Sequence, residues 1–197
     1  MSSKGFLLIL SSPSGGGKTT LCKMILENVK DTVYSVSATT REKRKGETDG
    51  KDYYFLSEEE FLQKEKEGFF AETAIVHGKR YGTPKKFLDD MIEKGKIVVM
   101  DIDVVGAMNI MKIYPNSVSI FIMPPSMEEL EERLKRRSRD GVEDIRVRLE
   151  NAKKEIEFSK HFKYTVVNRN IDDAFQNIKE IIEKEKKEDI DESCSNR

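Results

Sequence analysis

Lys18 and Thr19 follow three consecutive glycines in Ser12-Pro13-Ser14-Gly15-Gly16-Gly17-Lys18-Thr19-Thr20, an order of residue types that suits phosphate. Gly15, Gly16 and Gly17 can take backbone angles closed to other residues, so several N–H groups can converge on one anion. A lysine directly after them reaches β- and γ-phosphates, and the neighbouring Thr19 hydroxyl can ligate Mg²⁺. The pattern G-x-x-x-x-G-K-[ST] is broken at one place, where Ser12 stands for the first glycine. The alternative is a glycine turn leading into an ordinary helix. The flanks favour phosphate. Phe6 to Leu10 is an apolar run too short for a helix, and Leu21, Met24, Ile25 and Leu26 give an amphipathic segment after the loop. Strand, glycine turn and helix start together supply the unpaired N–H groups and positive dipole end that bind anions.

Other charged residues stand where they could join such a loop. Arg41 and Arg44 lie three apart on an irregular segment, so both can grip one phosphate by charge-assisted hydrogen bonds. A solvated charged loop is the competing account. Tyr53 and Tyr81 are either packing residues or hydroxyls aimed at a ligand. Asp101 and Asp103 close the apolar run Ile97 to Met100, and ligands of parallel sheets bind at the carboxyl ends of strands. One of these acids is expected to orient Mg²⁺ or its waters, while Asp103 is equally suited to cap the following helix. Arg133, Arg136, Arg137 and Arg139, with Arg146 and Arg148, form a third cationic group. Their interleaving with Glu128, Glu129, Glu131 and Glu132 allows a plain salt-bridged surface. In a chain with a phosphate loop, a helix–turn–helix flap of arginines broken at Asp140-Gly141 also reads as a lid.

The elements that must position these groups alternate. Val33 to Val36, Ile97 to Ile102, Val118 to Met123 and Tyr164 to Val167 read as further buried strands. Between them fall helical patterns over Pro84 to Lys94, Val104 to Tyr114, Ser126 to Arg139, Glu143 to Ser159 and Ile171 to Lys186. The expected fold class is α/β, a parallel β-sheet core flanked by helices and joined by right-handed crossovers. Residues 37–83 break the rhythm and are read as a small inserted subdomain. They hold β-like pieces at Tyr53 to Leu56 and Phe69 to Val76 and a short helix near Ser57 to Lys66, with Ser57 and Glu60 forming a capping box. The remaining divisions are a core at 1–36, 84–125 and 151–187, a lid at 126–150 and a polar tail at 188–197, expected to be disordered.

Composition narrows the function classes. The 197 residues suit one domain, and 35 Lys+Arg against 36 Asp+Glu leave a net charge of −1, so no basic field points to nucleic acid. MSSKGFLLILSS lacks the apolar core and cleavage site of a signal peptide, and no run approaches the ~20 apolar residues of a membrane span. Cys22 and Cys194 stand far apart, and His77 and His161 share no ligand spacing with them. A reducing cytoplasm is therefore expected, without a disulfide framework or structural zinc.

The chain resembles the guanylate kinase family across nearly everything except the tail. The resemblance runs through SSPSGGGKTTL, SVSATTREKRKGETDGKDYYF, FFAETAIVHGKRYGT, VVMDIDVVGAMNI and IFIMPPSMEELEERLKRRSRD. It implies a P-loop NTPase fold with a GMP-binding insertion and a helical lid, transferring the ATP γ-phosphoryl group to GMP with Mg²⁺. Members often lack the first loop glycine. By similarity, Ser14, Gly15, Gly16, Gly17, Lys18, Thr19 and Thr20 hold ATP, with Asn168 on its adenine side. Arg41, Arg44, Tyr53 and Tyr81 hold the GMP phosphate, and Ser37, Glu72, Thr83 and Asp103 face the guanine. Arg133, Arg137 and Arg148 reach the ATP phosphates and the transferring group, and Thr19 with Asp101 serves the metal. A monomer or homodimer in the cytoplasm is implied. Guanine's N1–H and N2–H₂ donors suit carboxylate and hydroxyl acceptors, whereas adenine N1 is an acceptor. Non-catalytic members of the same fold generally lose the loop lysine, which is intact here. The Asn-Lys-x-Asp of a guanine-nucleotide switch is absent, its nearest counterpart being Val167-Asn168-Arg169-Asn170.

Overall fold

Apolar residues on both sides of the central strands decide the architecture. In a computed structural model, which describes residues 5–76, 78–137 and 142–195, the chain enters β1 (Leu7–Ser11) and crosses through α1 (Lys18–Asn28) to β2 (Thr32–Tyr34). It then leaves for β3 (Ala38–Thr39), β4 (Tyr54–Phe55), α2 (Glu58–Lys66), β5 (Phe70–Val76) and β6 (Lys79–Pro84). It returns through α3 (Lys85–Glu93), β7 (Ile97–Asp101), α4 (Val104–Ile113), β8 (Val118–Met123), α5 (Met127–Arg137), α6 (Val142–Glu157), β9 (Tyr164–Val167) and α7 (Ile171–Ser195). The larger sheet is parallel with order β2-β7-β1-β8-β9. Alternation along fully buried β1 sends Leu8 and Leu10 into one cluster with Leu21, Ile25 and Ile178. Leu7 and Ile9 go into the other, with Leu88, Val98 and Ile110. A strand apolar on both faces stays in register only with helices above and below it. Because β1 lies between β7 and β8, the crevice at their carboxyl ends is a topological switch point.

The second sheet has order β4-β3-β6-β5 and its own small core of Ala38, Phe61 and Phe70. The Phe61 and Phe70 rings stack at 4.6 Å, and a Cβ on Gly82 would stand 2.8 Å from the Phe70 ring, so only glycine lets β6 pass. The capping box forms as read: Ser57 Oγ accepts from Glu60 N at 3.1 Å, and Glu60 Oε2 accepts from Ser57 N at 2.8 Å. Helices α5 and α6 share a fourth cluster of Leu130, Leu134 and Ala152.

Three expectations are corrected. The second core strand is Thr32–Tyr34, shorter and earlier than Val33 to Val36; Ser35 N makes a last bond to Val99 O at 2.9 Å before the chain leaves for β3. Lys79–Pro84 is a strand, β6, hairpinned antiparallel onto β5. Its sequence, Lys-Arg-Tyr-Gly-Thr-Pro, carries no apolar–polar alternation to mark a strand. The tail expected to be disordered continues α7 through Ser195. Glu- and Lys-rich stretches favour helix, and pairs such as Lys184–Glu188 at 3.7 Å add i,i+4 support. His77 and the Asp140-Gly141 break lie outside the described residues. Among those described, no helix is long and apolar enough to cross a membrane.

Candidate active site

The glycine loop connects β1 to α1 with Gly15 at φ 88° and Gly17 at φ 96°, both left-handed. Gly16 N donates to Pro13 O at 2.9 Å, which closes the turn. Gly17 is the N-cap of α1, and among the described residues no side chain caps the first helical N–H groups. They remain available to an anion. Gly15 has a second reason to lack a side chain: its Cβ would stand 3.0 and 3.2 Å from Leu134 and Leu130 of α5.

The polar groups around the loop are held by protein acceptors. Lys18 Nζ lies 3.2 Å from Asp101 Oδ1 and donates to Ile102 O at 3.1 Å. Thr19 Oγ1 donates to Asp101 Oδ2 at 3.1 Å, so one carboxylate at the end of β7 holds both loop residues. Arg148 of α6 donates to Ser14 Oγ at 2.8 Å. Arg133 of α5 donates to Glu129 and to the Asn168 carbonyl, each at 2.8 Å. Thr20 is exposed on α1. The Arg137 side chain lies outside the described residues.

A cavity of about 210 Å³ opens beside the loop. It brings Lys18 and Asp101 at one end together with Ser37, Tyr53, Glu72, Tyr81 and Asp103. Arg41 lies against the lining residue Tyr53, its guanidinium 5.3 Å from that ring's centre, and the Tyr53 and Tyr81 rings meet edge-on at 5.9 Å. Thr83 enters through Glu72: its hydroxyl donates to Glu72 Oε1 at 2.9 Å. Glu72 Oε2 is buried with no hydrogen-bond partner among the described residues. Burial pushes the Glu72 carboxyl up to about 7; the Thr83 hydroxyl opposes this and the Asp103 charge adds to it.

Asp103 serves both roles that its position allowed. Oδ1 caps α4, accepting from Val105 N at 2.8 Å and Gly106 N at 3.2 Å. Oδ2 lies with Glu72 Oε2 over Gly106, 3.5 and 3.4 Å from where a Cβ there would stand.

Two placements differ from the sequence reading. Arg44 is exposed and fixed through its backbone, its N–H donating to Glu47 Oε2 at 2.7 Å and its carbonyl accepting from Glu47 N at 3.2 Å. The pair Arg41 and Arg44 is thus organised by a residue not singled out beforehand. Glu47 accepts from Arg41 twice, at 2.7 and 3.0 Å. A carboxylate three residues after Arg44 was the available signal. Asn168 lies beside the loop, but its amide is buried, 3% exposed, and donates to Gly16 O at 2.8 Å. A Cβ on Gly17 would stand 2.3 Å from that amide nitrogen, so glycine and asparagine fit as a pair. Asn168 is a brace for the loop, joined to α5 through the carbonyl that accepts from Arg133.

A parallel sheet whose first strand delivers a glycine loop onto a helix, beside a cavity lined by the loop lysine and three carboxylates, defines a P-loop phosphotransferase. The family model described as guanylate kinase matches residues 4–185. The guanylate kinase of Thermotoga maritima is 47% identical over 183 residues, covering 93% of this chain and 88% of that protein. That of Caldanaerobacter subterraneus subsp. tengcongensis is 45% identical, covering 93% and 89%. The crystal structure of guanylate kinase from Anaplasma phagocytophilum superposes with a TM-score of 0.78 at 42% identity, covering 93% of this chain and 87% of that one. The chain belongs to the guanylate kinase family, nucleoside monophosphate kinases that transfer the γ-phosphoryl group of ATP to GMP.

Proposed function

We propose that the loop and the cavity divide the reaction between them, ATP on the loop and GMP, or dGMP, in the cavity. The observation that carries this reading is one cavity lined by the phosphate-loop lysine, the buried Glu72 carboxyl and the half-buried Asp103. Ser14, Gly15, Gly16, Gly17, Lys18, Thr19 and Thr20 hold the ATP phosphates, with Asn168 positioning the loop. Arg41, Arg44, Tyr53 and Tyr81 hold the acceptor phosphate. Ser37, Glu72, Thr83 and Asp103 accept from guanine. Arg133, Arg137 and Arg148 close over the transferring group as a lid. The enzyme works in the cytoplasm on free nucleotides, as a monomer or homodimer.

The hydrogen bonds of the free protein explain how charge is kept ready. Lys18 on Asp101, Arg41 on Glu47 and Arg148 on Ser14 are each held by an oxygen that a phosphate oxygen can replace. Exchanging one charged or polar acceptor for another keeps the cations ordered and lowers the reorganisation required at the transition state. Thr19 and Asp101 suit Mg²⁺, being oxygen donors already 3.1 Å apart. No group of three or more acidic, His or Cys side chains that could hold a metal occurs among the described residues, so the nucleotide must complete the coordination. Bound there, the ion would neutralise charge on the β- and γ-phosphates. Nothing in the cavity needs to act as a base, since the acceptor phosphate arrives ionised.

A coupled assay with ATP and GMP, dGMP, AMP, UMP or dTMP tests the reading. Turnover is expected with the guanine nucleotides at far higher kcat/KM than with the others; equal use of AMP would overturn it. Arg41→Lys sharpens the assignment of the acceptor phosphate. Lysine keeps the charge but loses the planar fork that both Glu47 and a phosphate can engage. The expected result is a roughly tenfold or larger rise in KM for GMP with KM for ATP little changed. Equal rises for both substrates would remove Arg41 from the GMP side.

A further inference from the structure

Glu72 is placed as a base reader, yet in the free protein no cation among the described residues neutralises it. It is 8% exposed, and its Oε2 has no partner among the described residues. Among the described residues, Thr83 and Tyr81 from β6 and Asp103 from the start of α4 bring it no positive charge. From β6 come the Thr83 hydroxyl, a donor to Oε1, and Tyr81 across the cavity. From the start of α4 comes Asp103, whose Oδ2 shares the space over Gly106 with Glu72 Oε2. Beyond these the cavity presents Ser37, Tyr53, Asp101 and Lys18, and Lys18 is already paired with Asp101. Two carboxylates meeting at one corner, the Glu72 group buried there and with no cation beside it among the described residues, do not both ionise readily.

We infer that Glu72 carries a proton in the free protein and that guanine expels it to solvent on binding, making base recognition a proton-releasing step. The balance is simple. Neutral guanine keeps N1–H and N2–H₂ and donates them to the carboxylate, while the O–H bond of the acid breaks and its proton passes to buffer. The base supplies donors to Glu72 Oε2, which has none among the described residues, so ionisation costs less in the complex than in the free protein. Retained, the acid proton would oppose guanine's own donors and suit adenine N1, so the choice of base depends on its loss.

The sign follows from the direction of the shift. A carboxyl raised to about 7 favours folding while protonated, and that contribution is lost as pH rises from its unfolded range near 4.5 through 7. GMP affinity runs the other way, rising about tenfold from pH 6 to pH 8 from this group alone and levelling above it.

The inference rests on the cavity being the guanine site, and the experiments separate the two. Calorimetric titration of the full-length protein with GMP at pH 7, in buffers of different ionisation enthalpy, is expected to show about half a proton more released by wild type than by Glu72→Gln. That difference removes the share of the GMP phosphate; equal release overturns the inference. Should the variant fail to bind GMP, infrared difference spectra of wild type decide. GMP is expected to abolish a protonated-carboxyl band, and an unchanged spectrum overturns the inference. Absence of any GMP binding by wild type would overturn the proposed function instead. Glu72 is then judged by heat denaturation without nucleotide, where the Tm of wild type is expected to fall relative to Glu72→Gln between pH 5 and pH 8. A constant difference would overturn the proton assignment.

Discussion

Lys18→Ala is expected to lower kcat by roughly a thousandfold or more while the protein remains folded. The lysine follows two left-handed glycine positions at the start of α1, and its ammonium reaches the end of β7, where Asp101 and the Ile102 carbonyl hold it. That is the only cation from the loop itself that can follow charge onto the transferring phosphoryl group. The fold tolerates its loss for a physical reason. Lys18 and Asp101 side chains are 18% and 14% exposed, and Asp101 keeps the Thr19 hydroxyl as a donor. Water can solvate what remains, so no buried charge is stranded. The measurement pairs circular dichroism with single-turnover transfer from ATP to GMP. A folded variant with near-normal transfer would show that the loop does not hold the donor phosphates.

The second large effect concerns base choice. Glu72→Gln is expected to reduce kcat/KM for GMP by ten- to a hundredfold, the loss of ~1.5–3 kcal/mol of charged hydrogen bonding, and to narrow the advantage of GMP over AMP. As a carboxylate Glu72 can accept from N1–H and N2–H₂ together, whereas glutamine offers one acceptor and a donor that opposes guanine. The same donor can meet adenine N1. Stability is not the reason for the loss, because glutamine has nearly the shape of the protonated acid and can still accept from Thr83. The check is kcat/KM for GMP and AMP at saturating MgATP in both proteins. An unchanged ratio would pass the reading of guanine to Asp103, Ser37 and Thr83.

The Asp103 case shows how local and distant information divide. Its position before Val104 made it a helix cap by sequence, and Oδ1 is a cap. That Oδ2 meets Glu72 over Gly106 follows only from α4 lying against β5. The hairpin strand β6 was hidden for a related reason. Gly82 and Pro84 are poor strand residues by propensity, but Gly82 is required where Phe70 and Phe61 leave no room for a Cβ. The Arg41–Glu47 pair was within reach, since both residues lie on one short loop. The continuation of α7 was missed because helix propensity in a polar run carries no hydrophobic period.

By itself the sequence determined what neighbouring residues decide among themselves. The glycine loop between strand and helix, the Ser57–Glu60 box and the doubly apolar strands belong here, because backbone angles, caps and the two-residue alternation act within a few bonds. Tertiary structure alone decided which side chains meet. Asn168 braces Gly16 from 152 residues away, Asp101 holds Lys18 and Thr19 across more than 80, and Glu72 is buried beside Asp103. Those contacts depend on strand order and on helices crossing above the sheet, and the burial that raises the Glu72 carboxyl exists only once those elements have closed around it.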